Sequence, residues 1–308
     1  MESVLEYQKL NEEQDVLDID VGQQKKILFL GDSFTIGTGL EADQQEEAFP
    51  YQLVKKLKEN HISIVECKIY AIDGDTTKHL LGALNVMEPQ SNPDNESYQK
   101  DNYDLVVLSI GINDLFRGHS REDYKHHFEE LLNRSIRFAK DDLSRVIVLS
   151  IPCWDASPSV YNESGLKFRA NKYETVQKNI NEISVPISKF KIKKNGKIQL
   201  VLTENEFKNK IESAKMYNTR WGIATEIDSF NEAVTEVIAK YNIATEGEEH
   251  KEIHFIDLTY LTRENATDYK TEKPISDLFA EDDIHYSAKM YQKWSETGFP
   301  IAYKILKT

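Results

Sequence analysis

Residues 25–39, KKILFLGDSFTIGTG, decide the fold class of the chain. The first part of this stretch, residues 27–30, is continuously apolar, which is typical of a strand buried on both faces of a parallel sheet. Gly31 and Asp32 end the apolar run, because glycine accepts positive φ angles and aspartate bonds nearby backbone groups in turns. Ser33 is therefore predicted at the carboxyl end of a strand, where open α/β sheets bind their ligands.

Ser33 by itself allows three interpretations. It can be part of a plain Gly-Asp-Ser turn, it can be a nucleophile, or its loop can hold an anion, as glycine-rich loops after a first strand often do. The anion-binding alternative is weakened because GDSFTIGTG matches neither the P-loop pattern GxxxxGK[ST] nor the dinucleotide-binding pattern GxGxxG. Residues elsewhere in the chain are needed to distinguish a plain turn from a nucleophile.

The amino-acid composition limits the kinds of molecule that the chain is expected to bind. The chain has 308 residues, enough for one large domain or two ordinary ones, and its 38 basic and 52 acidic residues give a net charge of −14. This balance disfavours binding to nucleic acid or to anionic membranes and fits a small neutral or cationic substrate better. The two cysteines, Cys67 and Cys153, form neither a disulfide framework nor a CxxC zinc pattern, so both are predicted to be buried or inert thiols.

The beginning of the chain predicts an acidic arm. Residues 1–24 carry seven acidic side chains and one lysine, so we expect an N-terminal arm at 1–24 and a domain at 25–308. No stretch approaches the roughly 18 apolar residues of a membrane span, and no signal-peptide pattern begins the sequence. We therefore expect no membrane span and a cytoplasmic location by default, or an exported protein if a native leader is missing.

Strand and helix patterns alternate along the chain. Strand patterns lie at residues 27–30, 62–72, 104–110, 145–151 and 252–258, and helix patterns at 50–60, 120–140, 223–241 and 287–297, with another helix capped near residue 75 or 76. This alternation predicts an α/β fold, a three-layer α/β/α sandwich around a flavodoxin-like parallel five-stranded sheet in the order 2-1-3-4-5. Gly298 is predicted to end the closing helix.

Three turns are predicted to meet at the carboxyl edge of this sheet. The first strand lies between the second and the third, about 4.8 Å from each, so their following turns bring Ser33, Gly74 and Asn113 side by side. These residues supply a hydroxyl, an unobstructed backbone N–H and an amide donor, which are the parts of a nucleophile with its oxyanion hole. Taken singly, Gly74 and Asn113 would be ordinary turn residues.

His285 is a candidate for the base that a serine nucleophile needs. Asp282 precedes it by three residues and Asp283 by two, and a carboxylate this close can hold the imidazole in one tautomer. The alternative is a surface histidine in an acidic loop. The 27 residues between Asp257 and His285 are long enough to return across about three strand spacings.

In these residues the chain resembles the SGNH hydrolases, the GDSL esterase and lipase superfamily. The four blocks of that superfamily would be GDSF at residues 31–34, Gly74, GIND at residues 111–114 and DDIH at residues 282–285. All four occur in the expected order, and together they are far more specific than any one of them.

The resemblance implies a role for each matching residue. Ser33 would be the nucleophile, His285 the general base, and Asp282, at the DxxH spacing of the family, the residue that orients the imidazole. The backbone N–H groups of Ser33 and Gly74 and the side-chain amide of Asn113 would form the oxyanion hole.

The chain departs from the family pattern in two residues and in one segment. Phe34 replaces the usual leucine, and Tyr286 stands where proline commonly follows the histidine. The resemblance covers about residues 25–156 and 220–298, so the segment at about 157–219 is an insertion after the fourth strand.

The insertion contains a predicted β-hairpin. Residues 189–202, KFKIKKNGKIQLVL, are two alternating runs joined by Asn195 and Gly196, and residues 167–197 hold nine basic side chains against two acidic ones. The insertion is expected to be either a cap or lid beside the site or a solvated hairpin decoration. The basic charge would attract anionic substrates or pack on acidic surface such as the N-terminal arm.

The resemblance implies a serine esterase that hydrolyses carboxylic esters through an acyl-enzyme on Ser33, with water activated at His285. This mechanism requires no metal and no cofactor, and its partner is a small-molecule ester: a lipid, a sugar ester or a thioester. The alternative is a catalytically inactive binding or scaffold protein on the same fold. The presence of Ser33, Asn113, Asp282 and His285 together argues against that alternative.

Overall fold

The computed structural model of the chain describes residues 23–87, 102–161, 190–192, 198–200, 220–243, 251–268 and 273–308. Most of the predicted N-terminal arm and most of the predicted insertion lie outside these residues. The division of the chain into an arm, a domain and an insertion therefore stays a prediction.

Five parallel strands form the central sheet. They are β1 (Lys25–Gly31), β2 (Ile64–Ala71), β3 (Leu105–Ser109), β4 (Val146–Leu149) and β5 (His254–Ile256). Their order in the sheet is β2-β1-β3-β4-β5, which confirms the predicted order 2-1-3-4-5. Every residue of β3 and β4 is buried, as expected for strands with helices on both faces.

The three strands β2, β1 and β3 end at the same level. Gly31, the last residue of β1, lies opposite Ala71 of β2 and Ser109 of β3. A Cβ atom at Gly31 would lie 1.9 Å from Thr35 Oγ1 and 2.6 Å from the Ser109 carbonyl oxygen, so only glycine fits at this position. The turns that follow the three strands therefore leave from one edge of the sheet.

Nine helices connect or follow these strands within the described residues. They are α1 (Ser33–Ile36), α2 (Phe49–Glu59), α3 (Thr77–Met87), α4 (Ile112–Phe116), α5 (Arg121–Phe138), α6 (Pro158–Tyr161), α7 (Arg220–Ile243), α8 (Leu258–Ala266) and α9 (Ala288–Lys307). None of them is both long enough and apolar enough to cross a membrane.

Two groups of helices cover the two faces of the sheet. On one face α2 packs on α9, and the Phe49 ring of α2 lies 5.9 Å from Phe29 of β1 and 6.0 Å from Trp294 of α9. On the other face α5 packs on α3 and α7, with Tyr124 of α5 stacked 4.7 Å from Phe230 of α7. The result is the predicted three-layer α/β/α sandwich.

Two of these helices begin with a side-chain cap at a residue that the sequence predicted. Ser120 precedes α5 and its Oγ accepts a hydrogen bond from Asp123 N at 3.0 Å. Thr76 precedes α3 and its Oγ1 accepts one from His79 N at 3.3 Å.

The predicted end of the closing helix at Gly298 is wrong. Helix α9 continues through Gly298 and Pro300 to Lys307, and Gly298 lies on its buried face. Ala302, Ile305 and Leu306 continue that face and are buried. The buried face favours continuing the helix, because each large apolar side chain contributes about 1.5–3 kcal/mol on burial. Glycine inside a helix costs about 1 kcal/mol and proline about 3 kcal/mol.

Part of the predicted hairpin falls within the described residues. Two strands, Phe190–Ile192 and Ile198–Leu200, pair in antiparallel fashion, with Phe190 opposite Leu200. Asn195 and Gly196, the predicted turn residues, lie outside the described residues. The role of the insertion as a lid or as a solvated hairpin stays a prediction.

Both cysteines are free. Burial raises the pKa of the Cys67 thiol to about 12 and raises that of Cys153 well above its usual value. Thiols with raised pKa values are protonated at neutral pH and are poor nucleophiles.

Candidate active site

Ser33 is the first residue of α1 and follows β1 after a single residue. Asp32 caps this helix, because its Oδ1 accepts a hydrogen bond from Phe34 N at 3.1 Å. Gly37 ends the helix with a φ of 79° and donates its N–H to the Ser33 carbonyl oxygen. The single helical turn therefore starts at the serine, which is 3% exposed at the carboxyl edge of the sheet.

The Asp32 carboxyl beside Ser33 has a raised pKa. Burial raises this pKa to about 8, the backbone N–H of Phe34 opposes the rise, and the nearby carboxylates of Asp114 and Asp75 add to it. Asp32 is therefore mostly protonated at neutral pH.

Asn113 and Gly74 are joined by the backbone of one turn. Asn113 lies in α4, and its Nδ2 donates to the Asp75 carbonyl oxygen at 3.0 Å. Gly74 has a φ of 77°, and its own carbonyl oxygen accepts a hydrogen bond from Arg117 Nη2 at 2.8 Å. Asn113 and Arg117, four residues apart, thus hold two successive carbonyl groups of the turn that carries Gly74.

Asp114 fixes the other end of the same turn. Its side chain is fully buried and accepts hydrogen bonds from Thr77 N at 2.8 Å and Thr77 Oγ1 at 2.7 Å. His119 Nδ1 lies 3.0 Å from Asp114 Oδ1. Asp114 therefore ties the start of α3 to α4, so the turn between β2 and α3 is held at Gly74, Asp75 and Thr77.

The loop that carries His285 holds an Asp–His pair. Asp282 Oδ2 lies 2.5 Å from His285 Nδ1, and Asp282 Oδ1 accepts the backbone N–H groups of Ile284 and His285 at 2.9 Å. Burial alone would raise the pKa of Asp282, but the hydrogen bonds from the His285 side chain and from these N–H groups outweigh it and lower the pKa to about 2. Asp282 is therefore ionised at neutral pH.

Asp283 has a different place in this loop. It has a φ of 60°, and its carbonyl oxygen accepts a hydrogen bond from Ser159 N at 3.0 Å. The backbone of Asp283 thus connects the His285 loop to α6. Of the two aspartates that the sequence offered as partners for His285, it is Asp282 that is bonded to the imidazole.

Gly39 lies just after the helix that begins at Ser33 and packs against Asp282 and His285. Its φ is 91°, and a Cβ atom there would lie 3.1 Å from Asp282 Oδ2 and 3.2 Å from His285 Cβ. The chain just after α1 therefore packs directly on the loop that carries the two residues. This role of Gly39 was not predicted from the sequence, because a glycine does not indicate which distant segment it approaches.

The structure brings the predicted residues into two groups that adjoin each other. Ser33, Gly74 and Asn113 lie at the carboxyl edge of β1, β2 and β3, and the Phe34 ring lies 5.0 Å from the His285 ring. No hydrogen bond joins the Ser33 hydroxyl to His285 among the described residues. Catalytic hydrogen bonds are often long in free enzymes and shorten when substrate binds.

A cavity of about 310 Å³ lies away from these residues, between α7, α8 and the end of β5. Four of its polar side chains bond in pairs: Arg263 Nη1 to Asp228 at 2.7 Å, and Asn231 Nδ2 to Thr259 Oγ1 at 2.7 Å. We therefore place the candidate active site at Ser33 and not at this cavity. Within the described part of the chain, no three His, Cys, Asp or Glu side chains are grouped as a metal ion would require.

Three residues that shape the site were not identified from the sequence: Asp114, Arg117 and Gly39. Asp114 belongs to the GIND block, but its partner Thr77 lies 37 residues away. Arg117 follows the block and shows no sequence signal that predicts a bond to Gly74. The catalytic roles assigned to Ser33, His285 and the other site residues stay predictions.

Comparison with known proteins identifies the family. Residues 29–187, just over half of the chain, match the model of the GDSL-like lipase/acylhydrolase family. No curated protein sequence matches the chain.

Two solved structures are similar in fold. The lipase/acylhydrolase from Enterococcus faecalis is 16% identical, with 91% of this chain and 96% of that chain covered and a TM-score of 0.50. The family 3 carbohydrate esterase of Clostridium thermocellum is 15% identical, with 92% and 98% covered and a TM-score of 0.52. These two structures share the fold of the chain, and the family match over more than half of its length shows that the chain belongs to the GDSL-like lipase/acylhydrolase family, the SGNH esterases, and is a hydrolase of ester substrates.

Proposed function

We propose that the protein is a serine esterase that hydrolyses carboxylic esters through an acyl-enzyme on Ser33. The observation that supports this most directly is the 2.5 Å hydrogen bond between Asp282 Oδ2 and His285 Nδ1, in a loop that packs on Gly39. A carboxylate bonded to Nδ1 leaves Nε2 to accept the proton of a serine hydroxyl. A protein that only binds its ligand has no need for an imidazole oriented in this way.

Acylation begins when Ser33 Oγ attacks the carbonyl carbon of the ester and gives its proton to His285 Nε2. The carbonyl oxygen becomes an oxyanion, which accepts hydrogen bonds from the backbone N–H groups of Ser33 and Gly74 and from the Asn113 amide. The bond between the carbonyl carbon and the alcohol oxygen then breaks. The protonated His285 gives its proton to that oxygen, and the alcohol leaves.

Deacylation repeats these steps with water. The water oxygen attacks the acyl carbon while His285 Nε2 takes one of its protons, and the second oxyanion forms in the same hole. The bond to Ser33 Oγ breaks, Oγ recovers a proton from His285, and the carboxylic acid is released. Asp282, with its pKa of about 2, stays ionised and stabilises the imidazolium in both halves of the reaction.

The hydrogen bonds around Gly74 support the role of this turn as part of an oxyanion hole. Donors stabilise an oxyanion best when they are already in place before the reaction. Asn113 holds the Asp75 carbonyl and Arg117 holds the Gly74 carbonyl, while Asp114 bonds Thr77. The amide group of Asn113 carries a second N–H that can point to the oxyanion.

A fluorophosphonate probe tests this proposal. Ser33 should react covalently with the probe, because a serine activated by a base attacks phosphorus as it attacks a carbonyl carbon. Intact-protein mass spectrometry should show one adduct, and peptide mapping should place it on Ser33. Ser109→Ala is the matched control, since Ser109 ends the neighbouring strand at the same edge and should leave labelling unchanged. Labelling that persists in Ser33→Ala would contradict the proposal.

Replacing Asn113 with alanine should lower kcat by about 10²-fold and change KM little, because the amide acts on charge that exists only in the transition state. Initial rates on a small aryl ester measure both constants. Asn133→Ala is the control, because Asn133 lies on the exposed face of α5, where it bonds Tyr241. A change in KM alone would mean that Asn113 binds the ground state of the substrate and not the oxyanion.

A further inference from the structure

The two residues that depart from the family pattern contact each other. Phe34 follows Ser33 in the chain, Tyr286 follows His285, and their ring centroids are 5.5 Å apart. Both side chains are buried, at 2% and 1% exposure. The residue next to the candidate nucleophile therefore packs on the residue next to the candidate base.

Both the hydroxyl group and the backbone of Tyr286 are bonded to neighbouring residues. Its hydroxyl donates a hydrogen bond to the Cys153 carbonyl oxygen at 2.7 Å, in the segment that follows β4. Its backbone forms a β-bridge with Phe279, and Ala280 N donates to the His285 carbonyl oxygen at 2.8 Å. The main chain of His285 and Tyr286 is thus held by neighbours from its own loop, and the Tyr286 side chain is held by the segment that follows β4.

Phe34 contacts His285 itself as well as Tyr286. Its ring centroid is 5.0 Å from that of the His285 imidazole, and its N–H is bonded to Asp32 at 3.1 Å. A single ring, in the same helical turn as Ser33, therefore contacts both His285 and the residue after it. With a leucine at position 34 and a proline at position 286, no ring–ring contact would exist here.

We propose that Phe34 and Tyr286 are a pair of positioning residues, whose contact sets the distance and orientation between Ser33 and His285. The inference rests on the proposed function. A displacement of about 1 Å between reacting groups can cost about 10²-fold in rate, so a rigid contact between their neighbours has a direct effect on kcat. Aromatic pairs of this kind add about 0.5–1.5 kcal/mol beyond the area that they bury.

A double-mutant cycle tests the pair with Phe34→Leu, Tyr286→Leu and both together. Each single variant should lower kcat by about tenfold with KM within about twofold, and the double variant should also lose only about tenfold, because the contact is already broken by either change. Each kcat is divided by the number of sites titrated with the fluorophosphonate probe. This division removes unfolded protein from the comparison.

Phe49→Leu is the matched control for a purely structural role. The Trp294 ring contacts all three aromatic residues, with its centroid 6.5 Å from Phe34, 5.4 Å from Tyr286 and 6.0 Å from Phe49. Phe49 lies in neither of the turns that carry Ser33 and His285. This variant should lower the melting temperature and leave kcat for each titrated site unchanged. An equal fall of kcat in Phe49→Leu would overturn the proposal, and so would a double variant that loses the product of the two single effects, about a hundredfold.

Tyr286→Phe keeps the inference testable if the leucine variants do not fold. It retains the ring and removes only the hydrogen bond to Cys153, so kcat for each titrated site should stay within about threefold while the melting temperature falls. A tenfold or larger loss of kcat in Tyr286→Phe would overturn the role of the ring contact. A wild-type protein that the probe does not label would instead contradict the proposed function itself, so the two failures are distinguishable.

Discussion

Ser33→Ala is expected to lower kcat on a small aryl ester by about 10³-fold or more, with the fold intact. The proposed reaction has no other group to form the acyl-enzyme, and removing the nucleophile of a serine hydrolase costs at least this much. The oxyanion hole and substrate binding remain, so a small residual rate over water is expected. Steady-state kinetics and thermal unfolding on the same preparation measure the two quantities.

The small side chain of Ser33 makes this variant easy to interpret. The serine is buried at the end of β1, and alanine removes one oxygen atom without opening a large cavity. The melting temperature should therefore remain within a few degrees of wild type. A Ser33→Ala protein that keeps wild-type activity, with no active contaminant in the preparation, would refute the assignment of the nucleophile.

His285→Ala should lower kcat about as much as Ser33→Ala, because the serine then has no base. Residues that act as a unit show losses that do not add, so the double variant should be no worse than either single one. The measurement is kcat on the same aryl ester at a pH near neutrality. A double variant that is much slower than both single variants would mean that the two residues act independently.

Asp282 and Asp283 allow a matched comparison within this second prediction. Asp282→Asn should lower kcat strongly, though less than His285→Ala, because asparagine no longer stabilises the imidazolium or selects its tautomer. Asp283→Asn should have little effect, since the Asp283 backbone bonds Ser159 and asparagine tolerates its φ of 60°. A larger loss in Asp283→Asn than in Asp282→Asn would make Asp283 the orienting residue.

Local sequence patterns predicted the sheet and its order. β1, β3 and β4 are short apolar runs, and β2 alternates apolar and polar residues before the turn at Asp73 and Gly74. Such patterns are recognisable without knowledge of distant residues. The positions of Ser33, Gly74 and Asn113 follow from the strand order, because parallel strands end at one edge. The end of α9 was predicted wrongly, since the local signal of Gly298 was outweighed by the buried face that continues to Leu306.

The sequence by itself determined the α/β sandwich, the strand order and the candidate residues of the site, since these depend on periodicity and on short motifs. Only the tertiary structure decided which side chains hold these candidate residues in place. Arg117 bonds Gly74 from 43 residues away, Gly39 packs on the Asp282–His285 loop, and Phe34 contacts Tyr286 across most of the chain. The physical reason is that each of these contacts depends on rotamers and loop conformations that form only when distant segments pack together, and local periodicity does not report them.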